Sequence, residues 1–297
     1  MPLVDIVIPT YNNLEELKLC LHSFQSQSVS DFRILVCVDG SSDGTCEYLE
    51  DHERFNYQFC VLDHAGKVNK GRSATRNLAL PHLAAKYVVF LDSDFTVHAD
   101  FIESHLELLN IDEVVSVGDI FYKKGNIWRD YALSRGKHKF EKNFSEIPFK
   151  YLETGNVMMP TPVFWQLEGF DEAFSTYGGE DTELACRIRK RFNLKTVFNR
   201  KAVAYGMMEK PLAAALAQRE EFARTGLRYI RKKHPDMPDV FNVKFLESPI
   251  ASFLYMLLPD KILFGLAENS LLPKYLRLKL VHLLVFCNMY RGYHARG

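Results

Sequence analysis

Short apolar runs alternate with amphipathic segments along the first 120 residues of the 297-residue chain. Each run is rich in valine, isoleucine and leucine, which is typical of a buried strand, and the segment after it has apolar residues at helical spacing. The predicted strands are 3–8, 32–39, 58–63 and 87–91, and the predicted helices are 14–27, 45–52, 73–83 and 101–109. This alternation predicts βαβ units, and therefore an α/β domain built on a mostly parallel sheet.

The rest of the chain has a different pattern. Helical spacing recurs at 128–141, 180–192 and 211–233, and a short apolar run lies at 155–160. From 240 to 293 aromatic and aliphatic residues dominate, and Pro249, Pro259 and Pro273 interrupt that segment. No uncharged run of 18 residues occurs, so no membrane-spanning helix is predicted. We expect two domains, an α/β domain at 1–210 and a helical extension at 211–297.

Composition and charge narrow the class of protein. The chain is 47% hydrophobic, which suffices for a sizeable core and excludes a disordered protein. Its net charge of zero hides a split, because residues 1–186 contain 16 Lys and Arg against 29 Asp and Glu, whereas residues 187–297 contain 21 against 8. The basic part favours an anionic partner such as a phospholipid, although attraction between opposite surfaces of the protein has the same signature. Nucleic acid is not expected, because the chain has no motif for it.

Two features indicate a cytoplasmic protein. The six cysteines have neither C-x-x-C nor metal-ligand spacing, and most lie inside apolar periodic segments, as expected for reduced core residues. The chain also enters an apolar strand at once, without the basic and apolar regions of a signal peptide. We therefore expect a cytoplasmic location, which includes the inner face of a membrane.

Polar residues follow all four strands predicted in the first half of the chain. They are Pro9-Thr10-Tyr11-Asn12, Asp39-Gly40-Ser41-Ser42, Asp63-His64 and Asp92-Ser93-Asp94. Ligands of parallel α/β sheets bind beyond the carboxyl ends of the strands, so we expect these four loops to line one crevice. A dinucleotide-dependent oxidoreductase would have a Gly-x-Gly-x-x-Gly motif after the first strand, and this chain does not.

Two of the segments suggest a chemistry. Asp92 and Asp94 stand directly after an apolar run, where one carboxylate can bind a divalent cation and the other can hold a ribose hydroxyl or a metal-bound water. About one Asp-x-Asp is expected by chance in this composition, so only the strand-end position supports the interpretation. The basic segment 69–77 opens a helix and suits a diphosphate near the helix N-terminus, although a solvated basic face has the same pattern.

Five motifs, in this order, resemble the family 2 glycosyltransferases of the GT-A fold. They are the segments 9–12, 38–45, 69–77 and 92–94, and then 168–174 followed by Tyr177-Gly178-Gly179-Glu180-Asp181. The resemblance covers residues 3–205, and its Gly-Gly-Glu-Asp run is also similar to that of β-1,4-galactosyltransferases and chondroitin-type polymerases. It implies an inverting hexosyl- or N-acetylhexosaminyltransferase. Such an enzyme would use a nucleotide-diphosphate sugar, with UDP favoured, and a hydroxyl of a glycan or lipid-linked acceptor in cell-surface polysaccharide or glycolipid synthesis.

The resemblance also implies roles for the motif residues. Asp39 would contact the nucleotide base, Asp92 the ribose, and Asp94 a Mn²⁺ or Mg²⁺ ion on the diphosphate, with Asp92 reaching that ion through water. Asp181 would be the catalytic base, and Glu180 would orient the acceptor. The other expected substrate contacts are Pro9, Thr10, Tyr11, Arg76, Asn77, Ser93, Gly178 and Gly179.

The chain departs from the family pattern at the metal site. Family members often have a histidine ligand on the strand after the Glu-Asp helix, whereas residues 204–210 contain none. Met208 or Glu209 is a candidate replacement, and a thioether would favour Mn²⁺ over Mg²⁺. A core position is the alternative for the methionine. The missing histidine also leaves open a non-catalytic protein of the same fold that only binds sugar nucleotides.

The helical extension combines basic and apolar side chains. Several basic residues of the helix predicted at 211–233 lie near one face at helical spacing: Arg224, Arg228, Arg231 and Lys232. A packed helix with a solvated edge has the same pattern. The segment that follows adds apolar pairs such as Leu257-Leu258 and Leu271-Leu272, flanked by lysines and arginines. Together these features predict contact with an anionic membrane surface.

Overall fold

The computed structural model describes residues 2–51, 54–111, 113–122, 125–174, 177–207, 209–239 and 241–295. They form two compact units, each assembled from three stretches of the chain. The first unit contains Met1–Lys123, Phe140–Ser175 and Glu180–Met208, and the second contains Lys124–Lys139, Thr176–Gly179 and Glu209–Gly297. The last division lies close to the expected domain boundary at 210, but the second unit also takes two earlier stretches.

The described residues of the first unit form a nine-stranded sheet. Its strands are β1 Val4–Thr10, β2 Phe32–Val38, β3 Gln58–Asp63, β4 Tyr87–Leu91, β5 Phe95–Val97, β6 Val115–Tyr122, β7 Ser145–Glu146, β8 Asn156–Pro160 and β9 Thr196–Gly206. The order across the sheet is β3-β2-β1-β4-β8-β6-β9-β5, with β7 paired to β9. The predicted α/β class is confirmed.

Strand direction divides the sheet into two parts. Strands β3, β2, β1 and β4 are parallel, as the βαβ pattern predicts. Beyond β4 the sheet is mixed, because β8 runs antiparallel to both β4 and β6, and β5 runs antiparallel to β9. Strands β6 and β9 are again parallel, so parallel pairing prevails in the sheet as a whole. The antiparallel direction of β8 was not expected, since the apolar run at 155–160 predicts a strand but carries no information on its direction.

Helices flank the sheet and build the second unit. They are α1 Leu14–Ser23, α2 Thr45–Leu49, α3 Arg72–Asn77, α4 Phe101–Leu109, α5 Ile127–Arg135, α6 Thr161–Gln166, α7 Glu180–Phe192, α8 Leu212–Phe222, α9 Arg228–Lys233, α10 Val243–Leu246, α11 Pro249–Leu257, α12 Asp260–Glu268 and α13 Lys274–His294. The helix predicted at 211–233 is interrupted by a π-helical turn at Ala223–Leu227. The helix predicted at 73–83 ends at Asn77, and a short 3₁₀ turn follows at Leu80–His82.

The core of the first unit lies on both faces of the parallel strands. Val4, Ile6 and Ile8 of β1 join the cluster that includes Leu17 of α1 and Phe101 of α4, and the residues between them, Asp5 and Val7, are buried on the other face. Buried residues on the central strands fix the pairing register, because a shift by one residue would move every side chain of a strand to the opposite face of the sheet. The register in turn fixes which residues stand at the strand ends.

The second unit has its own apolar core. Side chains of α5, α8, α12 and α13 meet there, and those buried are Ile127, Tyr131, Leu212, Leu216, Leu263, Ala267, Val281 and Leu284. The α5 helix, which the sequence places far from the extension, is thus an integral part of this unit. Gly292 of α13 marks a close helix crossing, since a Cβ there would come closer than 3.0 Å to the backbone of Glu220.

Candidate active site

The carboxyl ends of β1, β2 and β4 meet because these three strands are neighbours and parallel. Thr10 ends β1, and its carbonyl accepts the backbone N–H of Asp39 at 2.9 Å. The Thr10 hydroxyl donates to Oδ1 of Asn13 at 2.5 Å, and Nδ2 of Asn13 donates to the hydroxyl of Ser93 at 2.7 Å. The structure therefore brings together three of the predicted strand-end segments, joined by a side chain that the sequence reading did not single out.

Asp39 is buried beneath the segment that leads into α3. Its carboxylate accepts the backbone N–H groups of Lys70 at 2.7 Å and Gly71 at 3.2 Å. Gly40 has a φ of +71°, and a Cβ there would lie 2.7 Å from the carbonyl oxygen of Lys67, so the segment packs directly on the strand end. Nε2 of His64 lies 3.5 Å from Oδ1 of Asp39, so three neighbouring groups surround a carboxylate that has about four acceptor positions.

Arg76 lies at the centre of a cluster of carboxylates. Its side chain is 2% exposed, and Nη2 donates to Oδ1 of Asp92 at 2.8 Å. Its Nη1 lies 3.9 Å from Oε1 of Glu180, and the guanidinium carbon stands 5.6 Å from the ring centre of Phe170. The guanidinium of Arg76 therefore pairs with carboxylates of the site, and its predicted contact with the donor stays a prediction.

The side chain of Asn77 contacts the segment that precedes α7, and its predicted contact with the substrate stays a prediction. Its Nδ2 donates to the carbonyl of Phe170 and to Oε1 of Glu172, both at 2.9 Å, and its Oδ1 accepts the backbone N–H of Phe170 at 2.8 Å. The amide is thus used to hold the turn that precedes α7. A Cβ at Gly169 would collide with it, which explains the glycine there.

Asp181 lies in the first turn of α7, and the hydroxyl of Thr154 donates to its Oδ1 at 2.5 Å. Burial, followed by the charge of Glu180, raises the pKa of Asp181 to about 7, and the charge of Arg76 and the Thr154 hydrogen bond act in the opposite direction. A carboxylate with a pKa near neutrality is suited to accept a proton during catalysis. The geometry therefore supports the predicted base.

Thr154 was missed from the sequence, and the topology explains why. Because β8 runs antiparallel to β4, with Asn156 opposite Leu91, the residues before β8 lie beside the residues after β4. The backbone N–H of Asp92 donates to the Gly155 carbonyl at 3.3 Å, and a Cβ on Gly155 would lie 3.0 Å from Oδ2 of Asp92. Only knowledge of the strand direction could have revealed this approach.

Several buried polar atoms of this cluster have no hydrogen-bond partner among the described residues. They are Nε and Nη1 of Arg76 and Oε2 of Glu180. Buried polar groups in native proteins are nearly always paired, so such atoms mark a place where water or a ligand completes the network. Oε2 of Glu180 can therefore accept a hydrogen bond from the hydroxyl of a sugar acceptor.

The predicted metal site has few protein ligands. Asp92 and Asp94 flank Ser93, and the Asp94 carbonyl accepts the backbone N–H of Met207 at 3.1 Å. Within the described ranges, no group of three or more His, Cys, Asp or Glu side chains is arranged to hold a metal ion. Met208 lies outside the described residues, and Glu209 is exposed and belongs to the second unit. Two carboxylates fit an ion that takes its other ligands from the substrate.

The other residues predicted to contact the substrate lie in both units. Pro9 is half-buried, and Tyr11 is 51% exposed at the edge of the sheet, where its ring is accessible to a base. Gly178 and Gly179 precede α7 in sequence but belong to the second unit. Their φ values of +89° and +108° require glycine. In that unit a Cβ on Gly226 would come closer than 3.0 Å to the Gly178 carbonyl, so the π-helical turn packs against this segment.

Solved structures with this architecture are glycosyltransferases of the GT-A fold. The mannosyltransferase PcManGT from Pyrobaculum calidifontis, in complex with GDP-Man and Mn²⁺, has a TM-score of 0.63 at 15% identity, covering 99% of this chain and 88% of that chain. S. aureus TarS 1-349 in complex with UDP-GlcNAc has a TM-score of 0.58 at 15% identity, covering 99% and 90%. The fold of the chain is therefore GT-A.

Sequence comparison defines the family. The model described as glycosyl transferase family 2 matches residues 5–168, which is more than half of the chain. The model described as the N-terminal domain of galactosyltransferase matches residues 135–210. The chain belongs to glycosyl transferase family 2.

Curated relatives match part of their length. Validoxylamine A glucosyltransferase from Streptomyces hygroscopicus is 26% identical over 221 residues, which cover 63% of this chain and 51% of that protein. Chondroitin synthase from Escherichia coli is 24% identical over 234 residues, which cover 62% of this chain and 32% of that protein. The chain thus spans about half of the first relative's length and about a third of the second's.

Proposed function

We propose that the protein is an inverting glycosyltransferase that moves a sugar from a nucleotide-diphosphate donor to an acceptor hydroxyl. The observation that carries the proposal is the clustering of Asp92, Glu180 and Asp181 around the buried guanidinium of Arg76 at the end of β4. In one in-line displacement, the hydroxyl oxygen bonds to the anomeric carbon while the nucleotide diphosphate departs from the opposite side. The configuration inverts, and no protein nucleophile is needed.

Asp181 is the base in this proposal. It takes the proton of the acceptor hydroxyl while the new glycosidic bond forms, and Glu180 orients that hydroxyl through its unpaired Oε2. The raised pKa of Asp181 makes it a stronger base than an ordinary aspartate. The Thr154 hydroxyl and Arg76 then keep the carboxylate ionised enough to function near neutral pH.

A UDP-sugar is the donor we favour. Thr10, Tyr11 and Asp39 would line the base pocket, and Ser93 would stand beside the ribose carboxylate Asp92. A Mn²⁺ or Mg²⁺ ion, held by Asp94 directly and by Asp92 through water, would supply charge neutralisation for the departing diphosphate when bound. The UDP-GlcNAc complex of the TarS fragment supports the donor class, and the Mn²⁺ in the mannosyltransferase complex supports the ion.

The acceptor we propose is a glycan or lipid-linked glycan in cell-surface polysaccharide or glycolipid synthesis at the cytoplasmic face of a membrane. The similarity to chondroitin synthases supports a glycan acceptor.

Nucleotide-sugar turnover tests the proposal. The purified chain is incubated with UDP-, GDP- and dTDP-sugars, Mn²⁺ and a panel of short glycans, and released nucleotide and product are measured. We expect one donor class to support transfer, with an anomeric configuration in the product opposite to that of the donor by NMR. Saturable nucleotide binding without turnover across the panel would instead favour the non-catalytic sugar-nucleotide-binding protein, and retention of configuration would exclude the single displacement.

A further inference from the structure

The α11 helix in the second unit has an apolar side that no described residue covers. Its inward side is formed by Ala251, which is fully buried, by Ser252, whose hydroxyl accepts from Tyr290 at 2.8 Å, and by Tyr255, stacked on Tyr290 at 4.7 Å. The outward side carries Ile250, Phe253 and Leu257 at helical spacing, exposed by 64%, 58% and 61%. A helix on the surface of a globular protein normally has polar residues on that side.

The α12 helix continues the same feature. Leu263 and Ala267 face the core of the unit, whereas Ile262 is 62% exposed. Residues 248–259, which include α11 and the bend before α12, contain no charged side chain. Such a concentration of exposed apolar side chains differs from the single ones that are normal on protein surfaces, and it marks an interaction site. We call Ile250, Phe253, Met256, Leu257 and Ile262 the exposed apolar surface.

The charges around the exposed apolar surface favour an anionic partner. Two nearby carboxylates are engaged within the unit, because Asp260 pairs with Arg291 and Glu247 accepts from the Tyr293 hydroxyl at 2.6 Å, whereas Glu268 at the end of α12 is exposed. Lys244 and Lys261 are exposed as well, and no ion pair joins them to a carboxylate in the part of the chain that the structure describes. Lysines that flank apolar and aromatic side chains are the pattern of a helix that lies in an anionic lipid interface.

The lengths of α11 and α12 and the angle between them bear on whether the pair spans a membrane or lies on its surface. Across the described ranges, no single helix has the length and hydropathy of a membrane span, and α11 with α12 passes only as a pair bent by 67°. Each of the two helices has nine residues, about 13.5 Å, against about 30 Å for the hydrocarbon core of a bilayer. Neither helix alone is long enough to cross, and the bend of 67° shortens the end-to-end length of the pair, which favours insertion at the interface.

We propose that the α11–α12 pair inserts its exposed apolar surface into the interfacial region of a bilayer containing anionic lipids. Ile250, Phe253 and Leu257 enter the acyl boundary, and Lys244 and Lys261 bind the lipid phosphates. This anchor identifies the part of the extension that meets a membrane, and it stands independently of the proposed sugar transfer.

Vesicle sedimentation with a matched pair of variants tests the proposal. The surface variant is Phe253→Ser/Leu257→Ser, and the control is Leu19→Ser/Ile111→Ser, whose side chains are 56% and 72% exposed in the first unit. The wild type should bind vesicles of phosphatidylcholine with about a third phosphatidylglycerol, and the surface variant should bind at least about tenfold more weakly. The control should bind like the wild type, and all three proteins should have the same melting temperature.

A second variant tests whether the two lysines bind anionic lipids, and two results would overturn the proposal. Lys244→Gln/Lys261→Gln should lose most of the preference for anionic over neutral vesicles, and added salt should weaken binding by the wild type. Equal binding by the surface variant and the wild type overturns the proposal. So does wild-type self-association that the surface variant abolishes without any vesicle binding, because the surface would then join two copies. Transfer to a soluble acceptor should be unchanged in the surface variant, which keeps this test separate from that of the proposed function.

Discussion

At the scale of single residues, Asp181 bears the chemistry. We expect Asp181→Asn to lower kcat by about 10²–10⁴-fold, because an amide cannot accept the acceptor proton. Binding of UDP should change by less than about twofold, since the base acts on the acceptor and not on the nucleotide. Transfer assays and calorimetric titration with UDP measure the two effects.

Asp100→Asn is the matched control for this variant. Asp100 also lies at a helix start in the first unit, and the one hydrogen-bond partner of its side chain among the described residues is the exposed His98. It should keep wild-type transfer. If Asp181→Asn retains more than about a tenth of wild-type turnover, Asp181 is not the base.

The raised pKa of Asp181 predicts a pH dependence. Because the base functions only when ionised, kcat should rise with pH and level off above the pKa of about 7, and it should fall about tenfold per unit below it. Stability should show the opposite trend, since the folded-state pKa lies above the unfolded value of 3.8. The stability that the protonated form contributes is fully present below pH 3.8 and is lost as pH rises through 7.

Asp181→Asn separates the two trends. It should match the wild type in stability near pH 4 and exceed it above pH 7, by at most about 4 kcal/mol, because one pKa unit corresponds to about 1.4 kcal/mol. Urea unfolding at both pH values gives the difference. Equal stability at pH 8 would mean that the carboxylate is not held at a raised pKa.

The sequence predicted the carboxylates of the site better than their surroundings. Asp39, Asp92, Asp94, Glu180 and Asp181 stand at strand ends or a helix start, positions that hydrophobic periodicity alone can locate. The burial of Arg76 and the hydrogen bonds of Asn77 to Phe170 could not be predicted, because a basic or amide side chain in a loop motif has the same pattern whether it faces a ligand or the interior. Burial decides between the two, and burial depends on the packing of segments far apart in the chain.

At the scale of secondary-structure elements, the predicted bounds agree best with the structure where apolar residues recur most regularly. The bounds of β3, β4, α4 and α7 match the sequence prediction to the residue. Strand direction beyond β4 and the π-helical turn were not predicted, since neither changes the spacing of apolar residues enough to be seen. The α5 helix was expected from its spacing, but its membership of the second unit follows only from tertiary contacts.

Replacing two helical glycines by alanine should change the stability of the protein in opposite directions. Gly292→Ala should destabilise the protein by about 2 kcal/mol or more, because the new methyl group would collide with the Glu220 backbone. Gly265→Ala should stabilise it by about 0.5–1 kcal/mol, since no atom lies within 4 Å of the added Cβ and alanine favours the helix. Thermal unfolding of both variants measures the difference. A gain in stability for Gly292→Ala would mean that α13 and α8 do not cross as closely as described.

At the scale of the whole molecule, the effect of ligands on the melting temperature tests whether the protein binds a metal ion together with the nucleotide. Two carboxylates are a weak site by themselves, so Mn²⁺ alone should barely change the melting temperature, whereas Mn²⁺ with UDP should raise it by about 5 °C at saturating ligand. Asp94→Asn should lose the increment due to Mn²⁺, and Asp100→Asn should keep it. A large shift with Mn²⁺ alone would indicate a further protein ligand.

The assembly of the second unit from separated stretches has a consequence for synthesis on the ribosome. Ile127 and Tyr131 emerge early, but their partners Val281 and Leu284 are translated about 150 residues later. At typical elongation rates the apolar side of α5 stays uncovered for roughly 8–30 s, long enough for chaperones to bind it. A protein ending at residue 210 would never cover it, so removing the extension should cause aggregation instead of releasing an independent enzyme.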